Sequence, residues 1–350
     1  MNDQFSTRYL HFWDLEPQVY FKLKNEFWSK IQSIIDKNKL SKYKIERYLY
    51  AYQSYQLISV PKLVQLISKL KTFDDSLSLD YTEKMIEYAR SGHTGIKIFN
   101  PKFPVDLFQK EFSELIGLTL AEGHIHIDKH VLLFNNDIEI LKRGVFDFEK
   151  SLGILERYKI KRRLDGYGDN RHSVLLPAYF GKILIFNLGL KVGSKIENHT
   201  SIPHFYMKNR NKQSLCSLFC GLFSGDGYVG MFSANSKTRT RQIALTANGK
   251  IPNKLKDKII SAPSLYRQYA PQLLLDSREL LIWLGYKASN PISKGKSSLE
   301  QYYKNGQLIY TFCWYIKITN RTNYIKFKNE ISFIDDFHNS RLNDLINSYK

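Results

Sequence analysis

Cysteine is scarce in this 350-residue sequence, with three residues, Cys216, Cys220 and Cys313. An odd, sparse set gives neither a disulfide framework nor zinc-ligand spacing, and it suits a reducing compartment. Cys216 and Cys220, four apart, read as small buried apolar residues. Long apolar runs are also missing. The longest, residues 174–190, is broken by Lys182, and a membrane span needs about 20 apolar residues. The opening MNDQFSTRYLHFW has no basic stretch followed by an apolar one, so no secretory signal is expected. Acidic residues are the third shortage: 33 Asp and Glu stand against 52 Lys and Arg, a net charge of +19. That excess points to a polyanionic partner, of which nucleic acid is the commonest, the plain alternative being basicity that only aids solubility. A hydrophobic fraction of 43% with 14% aromatics excludes a disordered chain. A soluble, cytoplasmic monomer of two or three domains is expected, with no membrane partner.

What is present is a repeated motif. Residues 115–123 read LIGLTLAEG and residues 219–227 read FCGLFSGDG. Each is an apolar run with small residues four apart, Gly117 and Ala121 in one, Gly221 and Gly225 in the other. Each ends in an acid followed by glycine, and the acids, Glu122 and Asp226, lie 104 residues apart. Two runs in matching order indicate an internal duplication built around paired carboxylates.

Residues 1–105 read as mainly helical. Helices are expected over residues 19–35 (Tyr20, Leu23, Phe27, Ile31, Ile34), over 42–50, and after Ser59-Val60-Pro61. Short helices with short links suit a helix-turn-helix module or an ordinary helical bundle. Residues 1–110 hold 17 basic and 12 acidic residues, leaving 35 and 21 to the remaining 240, so a DNA-binding role for this region would be an accessory one. Residues 91–106, rich in Gly and Pro, read as a linker.

After each motif the same order recurs. In the first copy, strands at 123–128 and 129–136 precede a helix over 138–152 and a strand over 157–164. Along that strand Arg157, Lys159, Lys161 and Arg163 alternate with mainly apolar residues. Four cations on one face suit a polyanion laid across them or a solvated edge. In the second copy, a strand over 228–234 meets one over 239–248, entered through Arg239 and Arg241. A helix over 270–283 and a strand over 308–319 follow, the latter with Lys317 on its polar face. From acid to the glycine ending the next helix is 31 residues in copy one and 59 in copy two, so copy two carries an insertion, placed at 250–268. The order implies an α+β fold of two αββαββα units with antiparallel sheets, over residues 106–213 and 214–350.

Small residues at four-residue spacing let helix backbones approach closely. The glycines after the acids suit the left-handed position that ends a helix. Both carboxylates would then sit where the helix dipole disfavours negative charge, by about 0.3–1 kcal/mol, and would repel each other. A divalent cation between them resolves the conflict, and oxygen-only ligation favours Mg²⁺.

Both motifs with their sequels resemble the LAGLIDADG homing endonucleases in single-chain, two-repeat form, over residues 108–350. The resemblance implies that the motif helices join the repeats and that the sheets read double-stranded DNA in the major groove. It implies that Glu122 and Asp226 hold Mg²⁺ (or Mn²⁺) for hydrolysis of both strands, leaving short 3′ overhangs, with the carbonyls of Ala121 and Gly225 also reaching metal. A basic residue near each scissile phosphate maps to Lys195 or Lys191 in copy one. In copy two the place has no lysine, and His338 or Arg341 stands there. Asn136 and Asn248 match positions that order water. His124, His126 and Asp128 read as DNA-facing residues or a transition-metal site. The alternative is a non-enzymatic binder, an intron RNA maturase or a DNA-binding regulator. The ends of the sequence do not match an intein's, so a free-standing or intron-encoded endonuclease is expected.

Overall fold

The computed structural model describes residues 7–40, 57–92, 95–164, 170–230, 241–294, 298–304 and 306–349. Two helices pack against each other at its centre, Lys110–Glu122 and Lys212–Asp226, and each carries one motif. Both are apolar nearly all round, the pattern of a helix enclosed on every side. Leu115, Ile116, Leu118 and Leu120 of the first and Leu215, Leu218, Phe219 and Leu222 of the second are at most 1% exposed.

Their contact obeys a two-fold relation. A Cβ on Gly117 would lie 2.0 Å from the carbonyl oxygen of Leu218, and one on Gly221 would lie 2.2 Å from that of Glu114. Since Gly117 matches Gly221 and Glu114 matches Leu218, these are the same contact made twice. Only glycine permits backbones this close. Farther along, a Cβ on Gly225 would lie 2.4 Å from that of Ala121, so the acid-bearing ends also abut.

The glycines after the acids correct the sequence reading. Gly123 and Gly227 are extended, with φ −84°, ψ 149° and φ −91°, ψ 163°, not left-handed. Each opens a strand, Gly123–Ile125 or Gly227–Gly230, while its N–H still bonds the carbonyl of Thr119 or Phe223. Glycine is required because a Cβ would lie 2.5 Å from the Thr119 oxygen and 2.3 Å from the Phe223 oxygen. The left-handed glycines come later. Gly153, with φ 121°, follows helix Ile138–Leu152, and Gly285, with φ 82°, follows helix Gln272–Trp283.

The first repeat's sheet has the order Ile160–Leu164, Asn170–Leu176, Val131–Asn135, Gly123–Ile125, all antiparallel. The second runs Gly227–Gly230, Gln242–Ile251, Gln307–Ile318, with Ile292–Ser293 and Leu299–Lys304 sharing the far edge of the long strand. Gly123 pairs with Leu133 and Gly227 with Leu245, so the repeats share a register as well as an order. The α+β class and the antiparallel sheets are therefore present. The insertion forms three short helices, Asn253–Leu255, Lys256–Ser261 and Pro263–Tyr269.

The N-terminal region contains more sheet than its sequence suggested. Val19–Leu23 is a strand whose alternate residues Val19, Phe21 and Leu23 are buried, and the helix begins only at Asn25. That strand pairs with Ile58–Ser59 and Ile86–Ser91; the sheet continues through Ile98–Phe99 to Ile154–Leu155 of the first repeat. The stretch read as a linker thus supplies two strands, Ile98–Phe99 and Val105–Asp106. Lys182 of the first repeat reaches back to Glu16, with Nζ to Oε2 at 2.5 Å. The helix expected over 42–50 lies outside the described residues.

Candidate active site at the ends of the motif helices

Each motif helix delivers its acid to a cleft where the open faces of the two sheets meet. Two cavities of about 750 and 930 Å³ adjoin there, and Glu122, Asp226 and Arg171 line both. The larger also holds Asn135, Asn136, Asp335 and His338. The smaller holds His124 and Phe134 from the first sheet, Thr246, Asn248 and Lys250 from the second, and Lys195.

The acids are held by unequal partners. Asn135 donates from Nδ2 to Glu122 Oε1 at 2.9 Å. The matching position in copy two is Ala247, and Thr246 donates instead to the main-chain oxygen of Asp226 at 3.0 Å. Burial and then the charge of Asp226 push the Glu122 carboxyl up to about 7, against Lys195, Arg171 and the Asn135 bond. Burial pushes Asp226 up to about 6, with Lys195 opposing. Burial pushes the Lys195 ammonium down while both acids hold it up, and that ammonium donates to the Ala121 carbonyl oxygen.

One ammonium, Lys195, and one guanidinium, Arg171, stand beside two enclosed carboxylates that burial raises. The two acids, Glu122 and Asp226, offer carboxylate oxygens to the cleft. This set fits a hard divalent cation. Glu122 and Asp226 would hold it, with the carbonyls of Ala121 and Gly225 beside them.

Among the residues singled out from sequence, Glu122, Asp226, Ala121, Lys195 and Asn248 border the smaller cavity, and Gly225, Asn136 and His338 the larger. Lys191 is exposed and borders neither. Arg341 also stays out, its guanidinium 5.5 Å from the centre of the Phe337 ring. Arg157 and Lys159 precede the strand, which spans only Ile160–Leu164, so the row of four cations reduces to Lys161 and Arg163 within it. Register sets Lys161 opposite Ser173 and Arg163 opposite Arg171. Arg241 turns to the end of the chain, its Nη2 2.5 Å from the Ser348 oxygen and its guanidinium over Tyr349. Lys317 lies on the same open face as Thr246 and Asn248, and Arg239 lies outside the described residues. His124 and His126 meet edge to face, 5.5 Å between ring centroids, and His126 Nδ1 lies 3.9 Å from Asp128, but the three do not form a metal-ligating group. The one group of three metal-ligating side chains among the described residues is His11, Asp80 and Glu83. It lies in the N-terminal region, where Glu83 already receives the Phe12 N–H at 3.0 Å.

Two residues at the acids escaped the sequence reading. Asn135 ends a strand whose alternate residues Val131 and Leu133 face the core, and following that alternation one step farther selects it over Asn136. Arg171 becomes visible only once its strand is paired.

No protein-family model and no curated protein sequence matches the chain. Solved structures that align with it include the homing endonuclease I-WcaI bound to its DNA recognition sequence, at 13% identity, covering 67% of this chain and 87% of that one with a TM-score of 0.36. I-DmoI in complex with DNA and Ca aligns at 10% identity over 67% of this chain and 97% of that one, with a TM-score of 0.33. The N-terminal LAGLIDADG domain of WhiA aligns at 10% identity over 66% and 86%, with a TM-score of 0.32. No helix among the described residues is long and apolar enough to cross a membrane.

Proposed function

We propose that this protein is a site-specific endonuclease of the LAGLIDADG type, hydrolysing both strands of double-stranded DNA with Mg²⁺ or Mn²⁺. The observation that carries this reading is the pair of carboxylates, Glu122 and Asp226, on abutting helix ends, enclosed with a single ammonium where two sheet faces meet. A protein that only bound a phosphate backbone would be weakened by two acids at that place, since each repels phosphate. A bound divalent cation would polarise the scissile phosphate and lower the pKa of a coordinated water.

The protein's own groups do the rest. Asn135 fixes the orientation of Glu122, and Lys195 and Arg171 offset charge that gathers on the phosphate. Lys161, Lys250 and Lys317 supply phosphate contacts that position the duplex. Staggered cutting with short 3′ overhangs belongs to the same reading.

Glu122→Gln and Asp226→Asn test it. Each should cut the rate of DNA cleavage by roughly 10³-fold or more, while duplex binding measured in Ca²⁺ persists. Full function in both variants would overturn it in favour of a non-enzymatic binder of DNA or intron RNA.

A further inference from the structure

The two cavities are built by one rule from different residues. Each takes an asparagine from the second strand of one repeat or the residue just past it, and a basic residue from the part of the other repeat that follows its sheet. Asn248 sits with Lys195 in the smaller cavity, and Asn136 with His338 in the larger. The asparagines occupy equivalent positions, one residue beyond Asn135 and Ala247. His338 is therefore the counterpart of Lys195 across the pseudo-two-fold relation.

His338 is held as a working imidazole. Its Nδ1 lies 2.8 and 2.9 Å from the two carboxylate oxygens of Asp335, which also accepts the His338 main-chain N–H at 2.8 Å as the N-cap of helix Asp336–Asn347. An ionised carboxylate only accepts, so Nδ1 carries a proton, and in the neutral ring the lone pair is on Nε2. The ring stacks on Phe333 at 5.0 Å between centroids. The segment is tied to the second motif helix, where Ser224 Oγ, two residues before Asp226, accepts the N–H of Ile334 at 2.8 Å.

We infer that the two strands are cut by chemically different halves of the site, Lys195 serving one scissile phosphate and the Asp335–His338 pair accepting the water proton at the other. This rests on the endonuclease reading above. In the histidine half, the water oxygen bonds to phosphorus as the bond from phosphorus to the leaving sugar oxygen breaks. The water proton passes to His338 Nε2 and on to solvent, and the leaving oxygen is protonated by solvent. Asp335 is a positioning residue, setting the tautomer.

The test is strand-resolved cleavage of a duplex selected from a randomised library by the full-length protein, each strand labelled separately. His338→Gln should slow one strand by about 10²-fold or more and leave the other within a few-fold, so that nicked duplex accumulates. Lys195→Met should nick the opposite strand. Asp335→Asn keeps the helix cap, since asparagine caps as well as aspartate, and should slow the same strand as His338→Gln. Added imidazole should restore that strand in His338→Gly. If His338→Gln slows both strands equally or neither, or slows the strand that Lys195→Met slows, the inference fails while the endonuclease reading stands. If the wild-type protein cuts no duplex, both fail.

Discussion

The two repeats share a backbone and differ in what surrounds their acids. Glu122 is paired with Asn135, where Asp226 has Ala247 at the matching place. Behind the first motif helix lies a buried ionic group, Glu114 with Arg143 and Asp147, with Arg143 Nε 2.6 Å from Glu114 and 3.1 Å from Asp147. The equivalent positions in copy two are Leu218, Leu275 and Glu279, the last paired with Arg210. Main-chain contacts that cannot be changed singly without breaking the joint are thus kept alike, and side chains free to vary have diverged.

The sharpest way to break that comparison is at the helix joint. Gly117→Ala and Gly221→Ala each push a methyl into a carbonyl on the facing helix. Each should cost about 1–3 kcal/mol or more by overpacking, read as a lowered urea midpoint. A large cost at one glycine and none at the other would show that the contact is not shared.

A smaller effect is expected at the acids' partners. Asn135→Ala should lower metal affinity by roughly 10–100-fold, the usual toll for losing a group that orients a ligand. It is read as the Mg²⁺ or Mn²⁺ concentration giving half-maximal cleavage, and an unchanged midpoint would remove Asn135 from the site. Ala247→Asn should shift the midpoint the other way, and by less, because no side chain stands there now to be lost.

The smallest effect concerns the buried acids of copy one. Burial and then Glu114 push the Asp147 carboxyl up to about 9, opposed by Arg143. Its folded-state pKa exceeds the unfolded one, so its contribution is full below about pH 4 and drains away as pH rises to about 9. Asp147→Asn keeps a donor toward Glu114 without the titration. The stability gap between wild type and variant should therefore move in the variant's favour from pH 5 to pH 9. A gap that does not change with pH would mean Asp147 does not titrate there.

The pattern of small residues and terminal acids in both motifs carried the helix joint, and order alone carried the αββαββα units. One failure and one omission have a common cause, since periodicity does not fix phase. In residues 19–35, Val19, Phe21 and Leu23 suit a strand as well as Tyr20, Leu23 and Phe27 suit a helix, and pairing with Ile86–Ser91 decides the matter. One residue of phase separates Asn136 from Asn135. The glycines after the acids failed differently. Glycine is demanded both by a left-handed turn and by close backbone approach, and the sequence does not say which. Arg171 could not be found at all before its strand was placed.

The edge strand Ile154–Leu155 has a consequence for engineering the chain. The first repeat closes the sheet of the N-terminal region, so one sheet joins the two. A graft that moved the first repeat alone would strip Ile98–Phe99 of one of its two neighbouring strands and leave an adhesive β edge.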